Sequence, residues 1–165
     1  MGAEIDLEER EGTGEGEPYG DLVVRPSDLV GCSVGAGEVP GLIDEVPILA
    51  VGAARAHGLT RITGAKELRV KETDRISAVV GNLRALGVEA EELEDGMEIL
   101  GSDKPLSGRV QAHGDHRIAM AFGVMGALPG NDITIDHPEV AGVSFPGFWS
   151  LLDQATGGRE GKGVR

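Results

Sequence analysis

The chain has 165 residues, enough to bury one core, and its length alone indicates one domain. Its formal net charge of −13 argues against nucleic-acid binding, which needs a basic stripe. The single cysteine, Cys32, excludes an internal disulfide and a zinc site built from cysteines. Since no signal-like or membrane-spanning apolar stretch is visible, we expect no membrane association and a cytoplasmic location.

The first third of the chain is predicted to contain three strands and a helix. Residues 1–7 and 20–25 are expected to be strands joined by a loop rich in Gly and Glu. A further short strand is expected within residues 29–39, with turns at Gly31, Gly35 and Gly37. The apolar spacing of residues 44–56 predicts a helix. Asp44 would cap it, an ordinary role that contributes about 1 kcal/mol.

The middle of the chain is predicted to be a strand, a helix and a hairpin. Residues 59–62 read as the strand. The helix begins at Thr73-Asp74 and ends at Gly87. Its apolar residues recur every three or four positions on one face: Ile76, Val79, Val80, Leu83 and Leu86. Residues 88–94 and 97–100 then form a hairpin across Asp95-Gly96.

The last third alternates strands and helices. We expect strands at residues 109–112 and 133–135 and a helix at 115–128 between them. A final helix covers residues 146–152 and has Pro146 at its first position. Residues 154–165 are expected to be a flexible tail.

The order of these elements repeats at an offset of about 71 residues, which predicts an α/β (α+β) fold made of reused β-α-β-α-β-β units. Residues 1–40 would end one unit, residues 41–103 would form a full unit, and residues 104–153 would form most of a third. Such units cannot bury their faces alone. The chain therefore looks truncated at its front.

A locally basic segment stands out on this acidic chain. Residues 66–75 hold four basic and three acidic side chains, whereas residues 1–17 hold seven acids and residues 89–98 hold six. Because the segment leads into the amino end of a helix, it favours a small anionic ligand. A carboxylate there can transfer a proton while its cationic neighbours bind substrate. The alternative is a helix start with solvated ion pairs, each worth about 0–1 kcal/mol.

A second helix start, at residues 113–120, carries two histidines and an aspartate within four positions. Metal binding is one interpretation, but no further cluster completes a site. A capped helix with an exposed His and Arg is another. Arg117 can also bind a carboxylate or phosphate through its planar guanidinium. His57 and His137 lie near element ends and are interpreted as structural or exposed.

The sequence Arg-Val-Lys-Glu-Thr-Asp-Arg-Ile at residues 69–76 closely resembles a signature of the EPSP synthase family, the enolpyruvyl transferases of the shikimate pathway. The segments around Asp44 and Arg117 resemble two further family segments in the same order. The resemblance implies a two-lobed enzyme whose lobes are inside-out α/β barrels of three repeat units each. Residues 1–153 would be most of one lobe, and the N-terminal lobe would be its missing partner.

The resemblance also implies roles for individual residues. Asp44 would bind hydroxyls of shikimate 3-phosphate and deprotonate the attacking one, and Lys71 would contact the same substrate. Glu72 would be the acid–base group beside the methylene of phosphoenolpyruvate. Which of Asp44 and Glu72 acts at each proton transfer stays open.

Phosphoenolpyruvate itself would be bound by Arg75 and Arg117, with His116 as a supporting donor. Glyphosate would compete with phosphoenolpyruvate at the two arginines. Some family members have a lysine where this chain has Val143, just before Ser-Phe-Pro, and that donor is missing or replaced here.

The implied reaction transfers the enolpyruvyl group of phosphoenolpyruvate to the 5-hydroxyl of shikimate 3-phosphate and releases phosphate, with no metal or organic cofactor. Two alternatives remain: the related UDP-N-acetylglucosamine enolpyruvyl transferase, which lacks the Lys-Glu-Thr-Asp-Arg run, and a non-catalytic binding or scaffold domain of the same fold. The chain alone is expected to be inactive, because ligands for both phosphates would come from the other lobe.

Overall fold

The structure is a computed structural model that describes residues 1–10 and 19–157, and it confirms a mixed α/β fold. The strands of this part are β1 (Glu4–Arg10), β2 (Tyr19–Arg25), β3 (Ser33–Val34), β4 (Leu59–Ile62), β5 (Glu89–Leu93), β6 (Gly96–Leu100), β7 (Ser107–Val110) and β8 (Asp132–Ile135). The helices are α1 (Val46–Ala53), α2 (Arg75–Ala85), α3 (His116–Gly126) and α4 (Phe148–Ala155). Short 3₁₀ turns occupy Val39–Gly41, Lys66–Val70 and Pro138–Val143.

Strands β1 and β2 form an antiparallel hairpin whose two faces differ in chemistry. Its apolar face carries two directly opposite pairs, Ile5 with Val24 and Leu7 with Leu22. These four side chains are between 54% and 66% exposed. The other face carries the ion pairs Arg10–Asp21 and Arg25–Asp6. The apolar face of the hairpin is thus exposed to solvent, although its composition is typical of the buried face of a sheet.

Strands β3, β4, β6 and β5 form one sheet in that order, with β3 parallel to β4 and the other pairs antiparallel. The short strand predicted within residues 29–39 is β3, which spans two residues. Val30 makes only an isolated bridge to His57, and the chain turns at Gly35, whose carbonyl accepts hydrogen bonds from Glu38 and Val39. Because the chain turns directly after Val34, its backbone does not continue the pairing with β4 that a longer strand would make.

Helix α2 covers the antiparallel part of this sheet. Its face of Ile76, Val79, Val80 and Leu83 is at most 1% exposed, and it packs against β5 and β6. The predicted helix ends are confirmed. Asp74 is the N-cap and accepts a hydrogen bond from the Ser77 backbone N–H, 3.0 Å away. Gly87, at φ +86°, closes the helix in a left-handed conformation that favours glycine.

Strands β7 and β8 are parallel, and α3 lies between them in the chain and packs against β8 and α1. The buried residues of α3 are Ile118, Ala119, Ala121, Phe122, Gly123 and Met125. Helix α4 is docked on α3 by Trp149. A Cβ on Gly123 would lie 2.5 Å from its ring. The indole N–H also donates to the Pro138 carbonyl, at 2.8 Å.

Several predicted boundaries shift by a few residues. Helix α1 starts at Val46 instead of residue 44, and α4 runs from Phe148 to Ala155 instead of over residues 146–152. In the β5–β6 hairpin Gly96 is already the first residue of β6, so the turn lies one residue earlier than predicted. The predicted tail lies outside the described residues from residue 158 onward.

The chain order β3-α1-β4-α2-β5-β6 has the β-α-β-α-β-β pattern, and β7-α3-β8 begins the same pattern again. The buried side chains of these two groups of elements form one continuous hydrophobic core, because α1 packs against α3 and α2 packs against β7. The exact unit boundaries, at residues 40, 103 and 153, stay a prediction. This arrangement brings the amino ends of α2 and α3 close to the start of α1.

Candidate active site

Arg75, the first residue of α2, is the centre of the candidate site, and its side chain is only 1% exposed. Its guanidinium contacts three carboxylates. Nε donates to Asp115 at 2.7 Å, Nη1 donates to Asp44 at 2.9 Å, and Nη2 donates to Glu72 at 2.6 Å. Burial alone would lower the pKa of Arg75, but the hydrogen bond and charge of Asp115, with Glu72 and Asp44, raise it above its ordinary value. Arg75 is therefore a fixed cation that orders three acids.

Asp44 gathers three cations from two other segments of the chain around one carboxylate. Besides Arg75 at Oδ1, Arg117 Nη2 lies 3.3 Å from Oδ2, and Lys71 Nζ lies 3.9 Å from Oδ1. Partial burial acts to raise the pKa of Asp44. The hydrogen bond from Arg75 and the charges of Arg117 and Lys71 outweigh it, so the pKa is lowered. Asp44 remains 40% exposed, so a ligand can reach it.

The capping role predicted for Asp44 is wrong. The N-cap of α1 is Glu45, and no side-chain hydrogen bond caps that helix. Because α1 begins two residues later than expected, the carboxylate of Asp44 points away from the helix N–H groups and toward Arg75 and Arg117. This leaves it available for charge interactions.

Arg117, in the first turn of α3, closes the other side of the cluster. Its Nη1 donates to the Asp44 carbonyl at 3.0 Å and lies 3.5 Å from Glu45 Oε1. Asp115 caps α3 by accepting from the Arg117 backbone N–H at 2.9 Å. The same carboxylate bonds Arg75, so one buried acid fixes both arginines.

Lys71 and Glu72 approach from the segment that precedes α2. Lys71 pairs with Glu67 at 3.1 Å as well as facing Asp44, and its side chain is 24% exposed. Glu72 is 48% exposed and is held by Arg75. Both therefore border solvent beside the Asp44 carboxylate, where a bound molecule would meet them.

The structure brings together Asp44, Lys71, Glu72, Arg75 and Arg117, which the sequence had placed in three separate segments.

His116 does not join this network: among the residues the structure describes, its ring makes no hydrogen bond. Val143 is 80% exposed at the end of the third 3₁₀ turn. In the described part of the chain, no group of three or more His, Cys, Asp or Glu side chains is arranged to hold a metal.

Sequence reasoning missed two features of the site. Asp115 was identified only as a helix cap, although its hydrogen bond to Arg75 connects two helix ends. A groove of about 280 Å³ extends from Asp44 and Arg117 between α1, α3 and the start of α4. Its remaining lining is mostly apolar: Glu45, Pro47, Ile48, Met120, Ala121, Val124, Phe145 and Phe148. The sequence signal for this groove is the Ser-Phe-Pro run, because its Phe145 lines the groove.

Comparison with known proteins places this arrangement in a family. The sequence model described as EPSP synthase (3-phosphoshikimate 1-carboxyvinyltransferase) matches residues 1–152. The chain belongs to the EPSP synthase family. It is 49% identical to the 3-phosphoshikimate 1-carboxyvinyltransferase of Salinibacter ruber over 157 residues, 94% of this chain and 36% of that protein. The protein of the same name from Aquifex aeolicus is 54% identical over 134 residues, 81% of this chain and 31% of that protein.

The fold gives the same result. A solved EPSP synthase structure from Acinetobacter baumannii matches with a TM-score of 0.80 and 38% identity, over 94% of this chain and 36% of that chain. The chain thus spans about a third of the length of the relatives it matches. None of the helices in residues 1–10 and 19–157 has the length and apolar character needed to span a membrane.

Proposed function

We propose that this chain supplies part of the active site for enolpyruvyl transfer from phosphoenolpyruvate to the 5-hydroxyl of shikimate 3-phosphate. The observation that carries the proposal is the meeting of Lys71, Arg75 and Arg117 around Asp44, with Glu72 beside them. Such a cluster offers cations for two anionic substrates and two carboxylates for proton transfer. The family names attached to the relatives agree with it.

In the proposed reaction, phosphoenolpyruvate is protonated at its methylene carbon and the 5-hydroxyl attacks the adjacent carbon. The tetrahedral adduct then loses a proton from the former methylene carbon and expels phosphate. Asp44 and Glu72 are the proposed proton carriers. The lowered pKa of Asp44 keeps it ionised, the form that can accept a proton. When Lys71 and Arg117 turn toward substrate anions, two causes of that lowering weaken, and the basicity of Asp44 rises as the substrates bind.

The two arginines suit different tasks in this proposal. Arg117 is 33% exposed and borders the groove, so it can donate to a carboxylate or phosphate of phosphoenolpyruvate directly. Arg75 is 1% exposed and is occupied by three acids. Its predicted contact with phosphoenolpyruvate therefore requires Glu72 or Asp44 to move aside. A supporting role for His116 stays a proposal.

The partner we propose is the remaining part of a longer EPSP synthase, since this chain spans 36% of its Salinibacter ruber relative. That part would close over the cluster and supply the other phosphate ligands, as the family resemblance implies. Water is then excluded from the reacting cation. A cytoplasmic location also stays a proposal.

A chimera tests this function. We expect no phosphate release from the two substrates with the chain alone, but turnover when residues 1–152 replace the matching part of the Salinibacter ruber protein. An Asp44→Asn chimera is the inactive control. A correctly folded chimera that binds neither shikimate 3-phosphate nor phosphoenolpyruvate by calorimetry would contradict the proposal. Binding of a UDP-sugar instead would favour the rival transferase.

A further inference from the structure

The segment that carries Lys71 and Glu72 has little backbone support of its own. Within the described residues, the backbone N–H groups of Lys71, Glu72 and Thr73 donate no hydrogen bond. Lys71 has extended dihedrals, φ −80° and ψ −155°, at the end of the second 3₁₀ turn. Apart from the side-chain ion pairs of Lys71 with Glu67 and of Glu72 with Arg75, the path of the segment depends on the residues at its two ends.

At one end Leu68 is 0% exposed and anchors the 3₁₀ turn in the core. At the other end Asp74 caps α2. Arg69 connects the two ends, because its Nη1 lies 2.8 Å from Asp74 Oδ2. This ion pair closes the segment into a short loop, with Lys71 and Glu72 at its tip.

Arg69 also fastens this loop to the β5–β6 hairpin. Nε donates to the Glu94 carbonyl at 2.8 Å and Nη2 donates to the Leu93 carbonyl at 2.6 Å. Nη1 in addition donates to Glu92 Oε1 at 2.8 Å, and Glu92 accepts from the Ser77 hydroxyl at 2.8 Å. Only a planar guanidinium can reach carbonyls and carboxylates in these directions at once. A lysine would keep the charge but lose most of the contacts.

We propose that Arg69 is a positioning residue, which fixes the loop of residues 70–73 so that Lys71 and Glu72 face Asp44. Among the described residues, Arg69 bonds the hairpin and α2 and makes no hydrogen bond or ion pair with Asp44, so it acts through the loop rather than on substrate. The consequence for substrate binding rests on the proposed function; the positioning itself does not.

Backbone amide order parameters from ¹⁵N relaxation test the positioning without any substrate. In the wild-type chain the amides of residues 71–73 should have values near about 0.85, as in rigid backbone, and in Arg69→Lys they should fall below about 0.6. Arg84→Lys is the matched control, because Arg84 donates to the Ala90 carbonyl of the same hairpin and does not contact the loop. It should leave residues 71–73 unchanged.

Titration with phosphoenolpyruvate on the same samples tests the consequence. We expect Arg69→Lys to weaken binding about tenfold relative to wild type and to Arg84→Lys, at a temperature well below the thermal midpoint of each variant. If the wild-type chain alone binds no phosphoenolpyruvate, the titration is made in the chimera, where absence of binding counts against the proposed function. The order parameters decide the role of Arg69 in either case.

Glu92→Ala provides an independent variant, since it removes a hairpin partner of Arg69 and leaves the residues of the loop unchanged, although it also removes the acceptor of the Ser77 hydroxyl in α2. It should also lower the order parameters of the amides of residues 71–73. The proposal is overturned if these amides are already flexible in the wild type. It is also overturned if they stay rigid in a folded Arg69→Lys chain, or if Arg84→Lys loosens them equally. Should Arg69→Lys fail to fold, rigid amides in Glu92→Ala overturn it.

Discussion

Asp115 and Arg75 form an ion pair closed to solvent, with Oδ2 2.7 Å from Nε and side chains 0% and 1% exposed. Asp115 also accepts from the first backbone N–H groups of α3, while Arg75 begins α2. The pair therefore joins two helix ends that are 40 residues apart in sequence. Disturbing it affects both the fold and the candidate site.

Replacing Asp115 by Asn should destabilise the chain severely. The substitution removes the charge that balances a buried guanidinium, and breaking such a pair from one side costs about 3–5 kcal/mol. Urea unfolding measures the difference. The control is Asp21→Asn, which breaks the exposed pair with Arg10 and should leave the midpoint nearly unchanged. Equal effects of the two substitutions would mean that burial of the Asp115–Arg75 pair does not matter.

Asp74 should make stability depend on pH in the acid range. Partial burial acts to raise its pKa, but hydrogen bonds from the Ser77 N–H and Arg69 outweigh this and lower it below the ordinary 3.8. A lowered folded-state pKa stabilises the fold above the unfolded-state pKa, and the contribution is lost as pH falls through the folded-state value.

Asp74→Asn keeps a capping oxygen but removes the charge, so it isolates this effect. Wild type should be more stable than the variant near neutral pH, and the gap should shrink as the pH falls below about 4. Unfolding free energies measured across that range are the test. A gap that stays constant down to the lowest pH would rule out titration of Asp74 as its source.

Two glycines in helices should respond oppositely to alanine. A Cβ on Gly123 would lie 2.5 Å from the Trp149 ring, so Gly123→Ala should push α4 away and cost about 1–3 kcal/mol. Gly81 in α2 has open space at that position, so Gly81→Ala should stabilise by about 0.4–1 kcal/mol. Thermal midpoints measure both, and fluorescence of the single tryptophan reports the first. An unchanged emission spectrum in Gly123→Ala would show that Trp149 tolerates the methyl group.

In an active chimera, Asp44→Asn should lower kcat about 10²–10⁴-fold, the range of a lost general acid–base group. The control is its neighbour Glu45→Gln, because Glu45 also faces Arg117, at 3.5 Å, but has no assigned proton transfer. That variant should retain most of the activity. Steady-state phosphate release measures both, and equal losses would indicate that only the charge around Arg117 matters.

Local signals predicted the elements well where they were complete. Helix α2 combined a cap at Asp74, an apolar face and a terminating Gly87, and all three appear in the structure. Within residues 29–39 the closely spaced glycines predicted turns and a short strand, and the structure has a two-residue strand followed by a turn at Gly35. The predicted start of α1 at residue 44 is wrong, because the carboxylate of Asp44 suits a helix cap and a cluster of cations equally.

For the site, the family resemblance selected Asp44 and the four charged residues that cluster with it, whereas composition only suggested an anion site. The supporting contacts of Asp115 and Arg69 could not be predicted. They depend on how α2, α3 and the β5–β6 hairpin pack, and no local sequence pattern encodes a contact across 25 or 40 residues. The catalytic roles themselves stay predictions.

The apolar face of the β1–β2 hairpin has a practical consequence for anyone preparing this chain. Its exposed apolar side chains, Ile5, Leu7, Leu22 and Val24, lie beside strand edges that pair with no other strand of residues 1–10 and 19–157, a combination that promotes self-association. The isolated chain in solution should therefore aggregate or form oligomers at lower protein concentrations than its high negative charge would suggest. Dilute handling, or a charged residue in place of Leu22, should keep such samples clear.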